Sequence, residues 1–362
     1  MIASLIALVA LQPDELKFKK SVIDARFVSE GVAVGDVNRD GRLDVIAGNV
    51  WYEAPDWKAN EIAPFVFVEP KSAWSNSFHN WAADLNSDGW VDQIVIGMPG
   101  EKAVWRENPK GNAGPWKEHL IWRNAGNESP LYEDLFRNGK RVLIMAYDDE
   151  RLAWFEPAKD PYAEWICHNV SELKGSGSQR YSHGLGVGDV QLGKDRQNAI
   201  ITRDGFYVWR NGPSGIVWMF VKTDLGADCA HMLVHNGGVL STSAHARGVW
   251  WHQPTGNGFE KTTIDETISV THAAVLATFG KSVNLVTGKR KWGHPPGVDP
   301  GSEEPHWLVR YELQGTKWVR HVIDEDSGVG TQFVVQDIDG DGLPDIVTSN
   351  KNGVFLFTQM SG

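Results

Sequence analysis

A turn signal that returns about every 50 residues, a Trp-to-Pro marker that follows it, and complementary half-units at the two termini predict an all-β fold. That fold is a seven-bladed β-propeller of four-stranded blades, its ring closed by the N-terminal strand joining the C-terminal blade. Composition agrees. The 362 residues exceed one ordinary core, and 38 Gly, 17 Pro and 17 Trp suit many short strands and turns. With 41% hydrophobic and 22% charged residues the chain is neither disordered nor membrane-spanning. Its 46 acidic residues outnumber 35 basic ones, for a net charge of −11, and no basic run offsets them, which excludes nucleic acid as the expected partner.

The turn signal reads Asp36-Val-Asn38-Arg-Asp40-Gly41-Arg-Leu-Asp44, then Asp84-Leu-Asn86-Ser-Asp88-Gly89-Trp-Val-Asp92, then Asp337-Ile-Asp339-Gly-Asp341-Gly342-Leu-Pro-Asp345. Asp36 and Asp84 are 48 residues apart and Asp36 and Asp337 are 301 apart, which is six intervals and therefore seven units. Shortened forms, Asp134–Gly139 and Asp189–Gly193, fall where middle units require them. The second marker is Trp51 to Pro55, Trp105 to Pro109, Trp154 to Pro157, Trp209 to Pro213 and Trp251 to Pro254.

Each unit then has an inner strand such as Gly31–Val37, a second such as Asp44–Gly48, a third around the Trp, and a fourth such as Trp116–Trp122. Those Trp side chains are expected to pack between blades. Lys17-Phe-Lys-Lys-Ser-Val-Ile-Asp24 resembles the fourth strand Lys317-Trp-Val-Arg-His-Val-Ile-Asp324 but has no first three strands before it, while the last unit stops after Val354–Phe357 without a fourth. Joining the two removes two bare sheet edges.

Residues 1–12 are expected to be a short signal peptide. Met1–Leu11 is apolar and too short to cross a bilayer, though no Lys or Arg precedes it. Residues 13–362 form the single propeller domain, expected to be secreted or periplasmic, monomeric and without a transmembrane segment. Cys167, in an outer strand of unit three, and Cys229, in an inner strand of unit five, are expected not to pair.

The Asp-x-Asx-x-Asp-Gly-x-x-Asp loop with an apolar strand after it is similar to the FG-GAP or VCBS repeat family, over residues 17–359. The resemblance implies structural calcium in up to three loops, and the donors agree with it. Asp36, Asn38, Asp40 and Asp44 offer hard oxygens, as do Asp84, Asn86, Asp88 and Asp92, and Asp337, Asp339, Asp341 and Asp345. These loops lie on one face of the ring, and function is expected on the other.

On that other face the inner strands begin at Phe78-His79, Ser182-His183, Ala230-His231 and Thr271-His272, with Glu30-Gly31 and Thr331-Gln332 in the first and last units. Second-to-third-strand connections add His245, and an insertion in unit six adds Lys289, Arg290 and His294. A lone inner-strand His is ordinarily a hydrogen-bonded channel residue, and a Lys-Arg-Lys run a solvated hairpin. Four equivalent histidines beside the basic insertion of an acidic chain instead mark a pocket.

Two functions follow. One is an enzyme in which His183 removes a proton next to a carbonyl, with Arg180 and Tyr181 supplying charge and a phenolic acid. Lys289, Arg290 and His294 would meet the developing negative charge, and His79, His231, His272, His245, Glu30 and Gln332 would bind substrate, some of these histidines with a second divalent metal. The combination resembles the propeller of the aldos-2-ulose dehydratases, which implies a carbon–oxygen lyase acting on a keto-sugar, although no counterpart of the cupin part lies in this sequence. The other is a non-catalytic carbohydrate- or protein-binding propeller.

Overall fold

The computed structural model describes residues 16–361 apart from 214, 227, 228 and 257. Within them the strands form seven antiparallel sheets of four. Six sheets are built from consecutive strands. In the seventh, Lys17–Asp24 pairs with Gly353–Met360, outside Asp345–Asn350 and Phe333–Gln336. The register runs from Lys17 opposite Met360 to Asp24 opposite Val354, so the N-terminal strand does complete the last blade. The proposed signal segment, residues 1–12, lies outside the described residues.

The first inner strand is shorter than the sequence implies. It is Ala33–Gly35 rather than Gly31–Val37, because residues on either side turn into the connections that carry the two faces. Second strands are for the most part buried, wholly so in Asp44–Ala47 and Asp92–Ile96, since neighbouring blades cover both faces. Fourth strands are the most exposed, and Lys317–Asp324 alternates exposed and covered residues over most of its length.

The core lies between blades. One cluster joins Trp81, Ile94 and Trp105 of the second blade to Leu143 and Phe155 of the third; another joins Val45 and Tyr52 of the first to Ile346 and Phe357 of the last. All five marker Trp residues fall on third strands, and Trp105, Trp154 and Trp251 are buried there. Two of them are roofed by an outer-strand His: Trp105 stacks on His119 at 4.3 Å and Trp154 on His168 at 3.8 Å between ring centres. Neither cysteine is in a disulfide; Cys229 stands before the Met232–His235 strand, not within it.

The acidic loops close by capping their own amides. Asp36 accepts from the N–H groups of Asp40 and Gly41 at 3.0 Å each, Asp84 does the same from Asp88 and Gly89, and Asp337 accepts from Gly340 and Gly342. The ninth residue is a buried clamp: Asp44 accepts from Val37 N and Ala54 N, Asp92 from Leu85 N and Asn108 N, and Asp345 from Ile338 N and Gln359 N. Gly41, Gly89 and Gly342 hold φ near +87°, the left-handed turn that the motif's glycine permits.

Candidate functional site

The starts of the inner strands supply the floor of a pocket on the face opposite the acidic loops. Glu30, fully buried, accepts from Nε of Arg290 at 3.1 Å, and Arg290 is itself 1% exposed. Arg290 reaches the channel because its backbone N–H donates to Val270 O at 2.9 Å and its strand end bridges Val329 of the last blade. Its NH1 lies 3.9 Å from Oε2 of Glu128, and the same oxygen is 3.4 Å from Nε2 of His183. Burial works to raise the Glu128 pKa, but His183 and Arg290 outweigh it and hold the carboxyl below its ordinary value. Glu128 is the inner-strand start of unit three, three residues before Leu131 as Glu30 is three before Ala33. The spacing was there to be read, but the decayed acidic loop of that unit obscured it.

Above this floor four imidazoles meet. His183, His245 and His272 have ring centres 4.9–5.4 Å apart, and His294 lies 4.4 Å from His245. With Trp74, Phe78, Met98, Glu128, Tyr181 and Gly293, the histidines 183, 245 and 294 line a cavity of about 430 Å³. His294 Nδ1 is 2.8 Å from Oδ1 of Asp299, whose other oxygen accepts the His294 backbone N–H at 3.0 Å. Burial would raise the Asp299 pKa, but His245 and His294 beside it bring it down to about 2. Asp299 is therefore an anion at neutral pH, and the His294 Nδ1 facing it is the donor, which leaves Nε2 as the ring nitrogen turned away from the carboxylate.

The remaining candidates separate. His79 and His231 are enclosed in the channel and do not line the cavity; burial drives the His79 pKa down to about 3 and lowers that of His231, so both are neutral. His272 is driven well below its ordinary value, by burial first and then by Arg290. Arg180 does not stand beside His183 as a charge for catalysis: it is paired with Asp149 at 2.6 Å. Gln332 is not free for substrate, because its amide accepts from Asn80 N at 2.6 Å and donates to Asn80 O at 2.7 Å, tying the last blade to the second. Lys289 turns to Glu304 at 3.8 Å, burial lowering its pKa, and neither it nor Arg290 lines the cavity. Tyr181 does line it, half exposed, with φ of 61°.

Part of the wall comes from a segment that repeat logic does not foresee. The connection from the first blade's fourth strand to His79 carries Trp74, whose Nε1 donates to Gly293 O at 3.1 Å. Lys351 stands 5.0 Å from the Trp74 ring centre and donates to Trp292 O at 3.0 Å, its pKa lowered to about 8 by burial. A chain segment from blade one thus rests on the blade-six insertion across the cavity.

Of the three full acidic loops, the described residues bring three acidic ligand atoms within 4.8 Å of one another only in the last, at Asp337, Asp339 and Asp345. In the second, Lys110 sits 3.2 Å from Asp88, and in the first, Arg42 sits 3.4 Å from Asp40.

No protein-family model and no curated protein matches the chain. Solved structures do. BBS1N in complex with ARL6DN is 12% identical, with a TM-score of 0.54 over 95% of both chains. YCF48 bound to D1 peptide is 12% identical, with a TM-score of 0.52 over 96% of both chains. Such likeness shows the propeller fold alone.

Proposed function

We propose that the cavity is an active site for proton abstraction next to a carbonyl, followed by loss of hydroxyl from the neighbouring carbon of a keto-sugar or similar polyhydroxy substrate. The base is His294 rather than His183. The single observation that carries this reading is the His294–Asp299 pair at 2.8 Å opening on the cavity, since a carboxylate behind an imidazole fixes the tautomer and stabilises the imidazolium.

The steps balance within the substrate. Nε2 of His294 takes the carbon-bound proton, and the bonding pair moves toward the carbonyl oxygen as an enolate. Collapse of the enolate breaks the adjacent carbon–oxygen bond, and the hydroxyl leaves as water with a proton from the Tyr181 phenol, which His294 restores. The product is an enone one water lighter. Trp74 and Phe78 give the cavity an aromatic lining against which the apolar side of a sugar ring can rest.

The test is a keto-sugar panel followed by enone absorbance, with His294→Ala and Asp299→Asn alongside. Loss of the base should cost on the order of 10²–10⁴ in rate. A wild-type protein that binds members of the panel but turns none over would establish the binding-propeller reading instead, which the aromatic and apolar wall of Trp74, Phe78 and Met98 favours.

Calcium is proposed as a structural ion, first at Asp337, Asp339, Asp341 and Asp345, where the oxygen donors suit a hard dication. A melting temperature that falls on chelation supports this, and an unchanged one contradicts it. Secretion, proposed from the apolar stretch Met1–Leu11, is tested by N-terminal sequencing of exported protein, and the monomer by light scattering.

A further inference from the structure

We infer that His183, His245 and His272, with Glu128, form a binding site for one divalent first-row transition metal ion. The inference deepens the reading above, because the ion would stand at the floor of the same cavity, but it rests on geometry that does not depend on what reaction occurs there.

Three imidazoles around one tetrahedral ion, each nitrogen about 2.05 Å from it, place their ring centres about 5.2 Å apart. The three observed separations are 4.9, 4.9 and 5.4 Å, and the rings meet edge-on, at 65–81° to one another. One nitrogen of each lies within 4.8 Å of the others. In the same geometry two ligand atoms are about 3.4 Å apart along an edge of the tetrahedron. Glu128 Oε2 and His183 Nε2 are 3.4 Å apart, too long for a good hydrogen bond.

The other ring nitrogens each face an oxygen, the arrangement a second shell builds on, closely at His183 and at longer range at the other two. His183 Nδ1 faces Tyr181 O at 2.8 Å, His272 Nδ1 faces Val270 O at 3.5 Å, and His245 Nδ1 faces the Asp299 carboxylate at 3.5 Å. With Nδ1 donating to those carbonyl oxygens, Nε2 is the lone-pair nitrogen of His183 and, over the longer contact, of His272. Both are buried atoms without a hydrogen-bond partner, and His272 is 4% exposed as a residue. Protonating His183 would pair its Nε2 with Glu128 but leave His272 Nε2 unsatisfied, whereas one ion satisfies both. Gly293 permits the close approach, since a Cβ there would come within 3.0 Å of His272 Cε1.

Imidazole nitrogen selects zinc, cobalt, nickel or copper over calcium and magnesium. The site is therefore distinct in preference from the acidic loops on the other face.

The test uses full-length protein stripped with a strong chelator and titrated with cobalt(II), read by visible absorption and by calorimetry in excess calcium. One equivalent should bind with the intense bands of tetrahedral cobalt. His245→Ala, at a partly exposed position, and His183→Ala should each abolish those bands, and Asp299→Asn should weaken binding on the order of 10–100-fold. Circular dichroism of each variant checks that the propeller is intact. Absence of tetrahedral bands, or bands unchanged in both His variants, overturns the site. One bound cobalt in a protein inert toward keto-sugars supports the site and contradicts the elimination reading alone.

Discussion

Two histidines on the same cavity wall differ in what holds their Nδ1 atoms. For His183 it is the Tyr181 carbonyl, a neutral acceptor, and for His294 the Asp299 carboxylate. The carboxylate is what makes the second imidazole the better base, so Asp299→Asn should lower kcat on the order of 10²-fold or more with a smaller change in KM. A different residue-scale prediction concerns Glu30 and Arg290, a wholly enclosed pair. Removing one partner of such a pair strands the other charge, and Glu30→Gln should cost about 3–5 kcal/mol in urea unfolding. The sequence located the histidines on this face because repeats put equivalent residues at equivalent places. It could not say which of them already had partners. Arg180 finds Asp149 and Gln332 finds the Asn80 backbone through contacts between blades, and no spacing within one unit records those. Glu128 repeats the offset of Glu30 from its inner strand and is legible on that ground, whereas Asp299 and Trp74 sit in irregular connections whose course depends on what they rest upon.

The Lys17–Asp24 strand shows what an element contributes beyond its own residues. It covers the backbone edge of Gly353–Met360, and Lys20 reaches back to Asp324 at 2.9 Å and to Asp326, so the last blade is laced to the sixth. Deletion through Asp24 should leave an exposed edge, and light scattering should report aggregation where the intact chain stays dispersed. The lacing also has a pH signature. Burial works to raise the Asp324 pKa, but Lys20 and Ser327 bring it down to about 2, below its unfolded value of 3.8. A lowered folded pKa stabilises the protein above about pH 4, and that stability is lost as pH falls toward 2. Acid titration of stability should show this loss in the intact protein, on the order of 1–2 kcal/mol, and Lys20→Met should flatten it.

At the scale of the molecule, the ring sorts its chemistry by face. Connections from inner to second strands carry the repeated acidic loops, and those on the opposite face carry the histidines, the Glu30–Arg290 pair and the segment of Trp74 resting on Gly293. Seven blades were legible because the turn and the Trp marker recur at a near-constant interval, even though neither survives in every unit, and because two half-blades complement each other. The cavity was legible only as a place, since its shape depends on one long connection and one insertion that interrupt the repeat. The central claim is that His294, backed by Asp299, removes a carbon-bound proton in that cavity. Its most direct measurement is proton NMR of keto-sugars incubated with the protein in D₂O. The account predicts that deuterium replaces the proton next to the carbonyl, or that this proton is lost with the enone, with wild type and not with His294→Ala. Exchange at the same rate in both proteins, or none with any substrate that binds, would contradict it.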